Sequence, residues 1–166
     1  MQQENQVVEI IRRLHEECME IVKETMGDYL PVAGNIAIFC QSDEEHQKLS
    51  LLANEMVQPN DNPNQKYFKL WQPIIIPENN GAPESIYEYL YIRQPSGDSP
   101  ERGDIDFVLS PDKYEDFKQQ IESGKVKNAS IYNRPGWDMV EIRQPGATSL
   151  PYITTQEMAE KVRVRF

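Results

Sequence analysis

Gly103-Asp104-Ile105-Asp106-Phe107-Val108-Leu109-Ser110-Pro111-Asp112 is the stretch on which the reading of this fold turns. Within it, Asp104 to Leu109 carry the β-branched and aromatic side chains of a strand. Ser110, Pro111 and Asp112 then supply an N-cap, a proline at the first helical position and a first-turn acid, so a helix must follow directly. That helix places Tyr114, Phe117 and Ile121 on one face and ends at Gly124. Beyond it, residues 129–132 and 137–143 read as two more strands, split by Arg134-Pro135-Gly136.

The same order occurs upstream. Asn35-Ile36-Ala37-Ile38-Phe39-Cys40 is a short apolar strand, and Ser42-Asp43-Glu44-Glu45 is a capping box that opens a helix with Leu49, Leu52, Ala53 and Met56 on one face. Pro59 stops that helix. Residues 67–71 and 74–76 read as strand interrupted or edged by Pro73, which cannot donate to a ladder, and residues 86–93 as a strand. Both halves close on one tetrapeptide, Ile92-Arg93-Gln94-Pro95 and Ile142-Arg143-Gln144-Pro145. A duplicated module accounts for this. The surplus of the first copy falls in Asn- and Pro-rich loops at 59–65 and 77–83, which read as insertions; a third loop covers 95–103. The expected fold is α+β, with two related βαβββ-like modules forming one mixed sheet or cup in a single domain, 1–166. Its parts are an N-terminal helix (1–27), a first module (34–97), a second module (103–147) and a C-terminal tail (154–166).

Between residues 3 and 26, Val7, Ile11, Leu14, Cys18 and Ile21 recur at helical spacing, widened by Val8, Ile10 and Val22. Gly27 and Asp28 end this helix, and Pro31 prevents its resumption. The stripe suits packing on the protein's own sheet; it would also serve as a homodimer seam, although it lasts only about three heptads, short of a coiled coil. The tail reads as a short helix from Thr154 or Thr155.

Lys and Arg total 17 against 27 Asp and Glu, a net charge of -10, which repels phosphate backbones and argues against nucleic acid as a partner. No apolar run reaches membrane-spanning length, and the polar start lacks a secretory pattern, so a cytoplasmic address and no membrane partner are expected. Cys18 and Cys40 form no C-x-x-C pair and read as reduced thiols. No glycine-rich phosphate loop, G-x-S-x-G or H-E-x-x-H occurs.

The second half, through the 103–109 strand, the 114–124 helix and Trp137-Asp138-Met139-Val140-Glu141-Ile142 with Pro145-Gly146, resembles the vicinal oxygen chelate superfamily of glyoxalase, bleomycin-resistance and dioxygenase proteins. The first half is similar through residues 34–39 and 89–92. The resemblance implies paired βαβββ modules around a cup, and a divalent metal as cofactor for lyase or dioxygenase chemistry. Its ligand positions become Asn35, Tyr91, Asp104 and Glu141. Of these, only Glu141 matches the family in type, with Asp104 a substitute, so Asp104 and Glu141 are the implied metal ligands and catalytic residues.

Strand alternation gives these positions a common meaning, because residues two apart point the same way. Asn35, Ala37 and Phe39 share a face, as do Tyr89, Tyr91 and Arg93, then Asp104, Asp106 and Val108, then Met139, Glu141 and Arg143. A cup lined this way suits a small polar or anionic molecule, gripped by Arg93 and Arg143 beside Tyr91 and Asn35, with Asp104 and Glu141 as acid and base. Solvent on that face is the alternative. A Cys40–His46 pair is disfavoured because Cys40 alternates with Ile36 and Ile38 toward the core, and Trp71 and Trp137 read as core. Two function classes therefore stand: a small-molecule-binding protein, or an interaction protein that dimerises or docks through its N-terminal helix.

Overall fold

A computed structural model describes residues 5–60, 62, 64–97 and 99–161. The readings placed on residues 1–4, on Asp61, Pro63 and Asp98, and on 162–166 fall outside them.

The chain runs α1 (Gln6–Met26), β1 (Val32–Phe39), α2 (Asp43–Asn54), β2 (Phe68–Ile76), β3 (Ser85–Arg93), β4 (Gly103–Val108), α3 (Pro111–Glu122), β5 (Ala129–Arg134), β6 (Trp137–Ile142), β7 (Ser149–Thr154) and α4 (Gln156–Lys161). All seven strands form one mixed sheet in the order β2-β3-β1-β4-β7-β6-β5. The two halves meet in the middle, where β1 pairs antiparallel with β4. Within each half the first strand pairs parallel with the last, β1 with β3 and β4 with β7. This is the α+β architecture expected, with an N-terminal helix and a short C-terminal one. The second half is a βαβββ unit, while the first carries two strands after its helix, because the pieces on either side of Pro73 are one strand whose register to β3 slips between Lys69 and Ile74.

β7 is a strand that periodicity does not announce. Ser149-Leu150-Pro151-Tyr152-Ile153-Thr154 contains a proline inside a strand flanked on both sides, but its ladder to β6 covers only Tyr152 and Ile153. Pro151 therefore lies where no β6 hydrogen bond is needed.

Ser110 N-caps α3 by position, with Pro111 next, but makes no side-chain cap hydrogen bond; two other caps follow the sequence closely. Ser42 Oγ accepts from the Glu45 amide at 3.1 Å, and the Glu45 carboxylate accepts in return from the amide of Gln41, one residue before the cap. Gly27 closes α1 at φ 57°, a left-handed conformation that glycine adopts without a Cβ clash.

α1 lies across the middle of one sheet face, against β4 and β7, and touches α2. Val7, Ile11, Leu14, Cys18, Ile21 and Val22 are buried there with Ile36, Ile38, Leu90, Ile105, Phe107, Val140 and Ile153. The apolar stripe is thus spent within the chain, on the principal core. Gly103 permits the close approach: a Cβ there would land on the Ala37 carbonyl oxygen and lie 2.6 Å from a Leu14 methyl. Trp71 departs from its reading as core; it stands on edge strand β2 and is 62% exposed.

Candidate functional site

Pairing across the sheet puts the sequence-derived site residues of β1, β3 and β4 on the face opposite α1. Ala37 lies between Tyr91 and Asp104, Asn35 pairs with Asp106, and Phe39 pairs with Arg93. Asp104 and Asp106 pair onward with Leu150 and Tyr152 of β7, and Tyr152 pairs with Glu141 of β6.

The centre of this face is not wet. Asn35, Ala37, Phe39, Asp106 and Leu150 are buried, with Tyr67, Tyr91 and Tyr152 packed on the apolar ones. Tyr67 does the covering. It stands one residue before β2 at the sheet edge, yet its ring lies 5.5 Å from that of Tyr91 and its hydroxyl donates to Asp106 Oδ2 at 3.3 Å. β3 and β1 separate those two strands, so the side chain and its backbone fold over the sheet.

Two carboxyl groups lie beneath it. Burial pushes Asp106 up to about 6, against hydrogen bonds from Tyr67 and Asn35 that favour its charged form. Burial, and then the neighbouring Asp106 charge, push Asp104 well above the carboxylate range, with Arg93 pulling the other way. Asp104 Oδ1 is buried with no hydrogen-bond partner among the described residues. Arg93 lies over the Phe39 ring, 3.3 Å from its centre.

Glu141 and Arg143 stand apart from this group. β7 separates Glu141 from Asp104, and their register positions differ, since Asp104 faces Leu150 while Glu141 faces Tyr152. Arg143 is held by Glu141 and, at 2.6 Å, by Glu101. Its guanidinium is thus engaged by two carboxylates rather than presented to an anion beside Arg93. The donor set for a divalent metal does not assemble either: among the described residues no three His, Cys, Asp or Glu side chains converge as ligands. Asn35 and Tyr91, the other implied positions, add weak or uncommon donors, so the residues present do not fit that metal.

A cavity of about 290 Å³ opens on the other side of the sheet, the side that carries α1, between α2 and the β2–β3 edge. α2 contributes His46, Ser50 and Asn54, spaced four residues apart and so stacked on one side of the helix, with Ala53 beside them. Phe68, Leu90 and Ile92 form its apolar wall, and Gln65 and Lys66 come from the segment that carries Tyr67. His46 Nε2 and Ser50 Oγ lie 3.4 Å apart. Of the residues proposed from sequence, Tyr91 reaches this cavity. The 59–65 loop, read as an insertion, supplies part of its lining. The spacing of His46, Ser50 and Asn54 is visible in the sequence; the segment that encloses them is not. Cys40 is buried, with its thiol pushed up to about 11, and makes no nucleophile for His46.

Among the described residues no helix is long and apolar enough to cross a membrane. No protein-family model matches the chain, and no curated protein matches it. A solved structure from structural genomics, of a protein designated EC4020, is similar over 92% of this chain and 91% of its own, with a TM-score of 0.56 and 11% identity; the likeness is one of fold.

Proposed function

We propose that this protein binds a small molecule in the cavity between α2 and the β2–β3 edge. The cavity carries the reading: about 290 Å³, near the lower end of ligand pockets, it has an apolar wall of Phe68, Leu90 and Ile92 facing polar groups on His46, Ser50, Asn54 and Gln65. Such a lining selects an apolar body of a few carbon atoms joined to a hydrogen-bonding head. The Lys66 ammonium favours a head that is anionic, such as a carboxylate. Support for a relation to the vicinal oxygen chelate proteins comes from the βαβββ order of the second half. Their metal chemistry is no part of this reading, because Asp104 and Glu141 are held apart by β7. Docking through α1 has less support, since that helix buries its apolar stripe within its own chain.

A panel of small aliphatic and aromatic carboxylates, each with its neutral amide, tests the proposal by amide chemical-shift perturbation. The expected result is a response clustered at His46, Ser50, Asn54 and Gln65, larger for carboxylates, and abolished by Ala53→Phe, which fills the space. Shifts scattered over the surface, or none, would overturn it.

A further inference from the structure

The sheet ends on two edge strands, and the fold treats them differently. Along β2 the outer edge is guarded: residues 56–58 pair with it at Val57 and Leu70, the Gln58 amide donating to the Lys69 carbonyl and the Trp71 amide to that of Met56. Pro73 and Pro77 bracket what remains, Ile74 to Ile76. Such devices keep an edge from recruiting another strand. β5 carries none of them. It runs in unbroken register with β6, holds no proline and no lysine, and keeps its charge, Arg134, at its last position.

The phase of that ladder fixes which groups β5 leaves bare. The Arg143 amide donates to the Asn128 carbonyl at 2.8 Å, so Asn128, Ser130, Tyr132 and Arg134 turn their backbone groups toward β6. Ala129, Ile131 and Asn133 turn theirs outward, an N–H and a C=O from each, and no described residue meets them.

The charge around this edge is opposite to that of the chain. Residues 123–137 hold Lys125, Lys127 and Arg134 and no acid, within a protein of net charge -10. Both acids of β6 are already engaged, Asp138 by Lys118 and Tyr114, and Glu141 by Arg143. The α3 acids Glu115 and Glu122 act on Lys118. The Arg134 guanidinium lies over the Tyr132 ring, 4.4 Å from its centre, and exposed Tyr132 stands beside Trp137. The bare backbone thus has an aromatic shelf next to it and cations at both ends.

We infer that β5 is a docking edge for an extended acidic peptide, which adds to the seven-stranded sheet as a further strand: its backbone pairs with Ala129, Ile131 and Asn133, and its carboxylates meet Lys125, Lys127 and Arg134. Backbone pairing holds the peptide, and the cations select it. A second copy of this chain fits less well, because pairing β5 with itself sets these cations against their own copies. The edge lies at the opposite end of the sheet from the cavity beside α2 and is independent of it.

The test uses the blocked peptide acetyl-Glu-Val-Glu-Val-Glu-Val-amide, with lysine-for-glutamate and proline-for-valine versions beside it. Amide exchange of the full chain, resolved by residue with NMR, separates strand addition from attraction of charge. Excess acidic peptide should slow exchange at Ala129, Ile131 and Asn133 by about ten-fold or more and leave Ser130, Tyr132 and Arg134, already bonded to β6, unchanged. The lysine and proline peptides should slow none of them. The double variant Lys127→Glu, Arg134→Glu, both at exposed positions, should weaken binding of the acidic peptide about ten-fold or more. No slowing with the acidic peptide, or equal slowing with the lysine peptide, would overturn the proposal. So would equal binding of the proline peptide, which keeps the charge and cannot form the ladder. Slowing of the same amides by raised protein concentration alone would overturn it in favour of a second copy.

Discussion

His15 Nδ1 lies 2.7 Å from the Tyr87 hydroxyl in the layer between α1 and the sheet, one polar pair inside an apolar core. Each group is the other's partner, so removing one strands the other in a place without water. His15→Leu and Tyr87→Phe are each expected to destabilise by about 1–3 kcal/mol, and the double variant by clearly less than their sum. Urea denaturation of the four proteins measures the difference. Strict additivity would mean that the pair is not coupled.

The same histidine gives an acid limb to stability. Burial lowers it to about 4, below the 6.5 of an exposed imidazole, so the unfolded chain binds the extra proton. Its contribution is complete above pH 6.5 and is lost as pH falls toward 4. His15→Leu should therefore lose less stability than the unmodified protein between pH 7 and pH 4.5, as read from denaturation midpoints.

Asp104 and Asp106 act with the opposite sign. Their folded values lie above the ordinary 3.8, so the native state binds the extra proton, and their contribution is lost as pH rises, through about 6 for Asp106. Asp104→Asn is expected to stabilise the protein by about 1–3 kcal/mol at pH 8, a gain that shrinks toward pH 4. A loss of stability at pH 8 would show that Arg93 outweighs burial at this carboxyl.

Gly103→Ala should destabilise by about 1–3 kcal/mol or prevent folding, since the added methyl meets a backbone carbonyl in the centre of the sheet, which cannot swing aside. Leu14→Ala in the same chain relieves only the Leu14 side of the clash and should not restore stability. Trp71→Thr, on an edge strand and mostly exposed, should change stability by no more than about 0.5 kcal/mol. Thermal melts of both variants test this contrast.

The strands of the polar face were legible because alternation survives in them: Asp104 and Asp106, or Tyr91 and Arg93, announce a shared side. β7 was not, because buried Leu150, Pro151 and Ile153 show no such alternation and proline argues against a strand. Trp71 misled because aromatic residues favour both central and edge strands, and a residue's neighbours in sequence do not say which it occupies. Half of the cavity, the His46, Ser50 and Asn54 row, is a matter of helical spacing. The other half depends on Tyr67 reaching β4, a contact 39 residues away in sequence that no local period encodes.

The central position of β1 also bears on how the chain leaves the ribosome. β1 finds its neighbours only when β3 and then β4 have emerged, and α1 waits for β7. The apolar side of α1 is thus without its native cover until β7 has been made, and pairing of distant segments is slow. Nascent chains that stop before Ser149 should accordingly remain protease-sensitive, and chains that include Thr154 should resist.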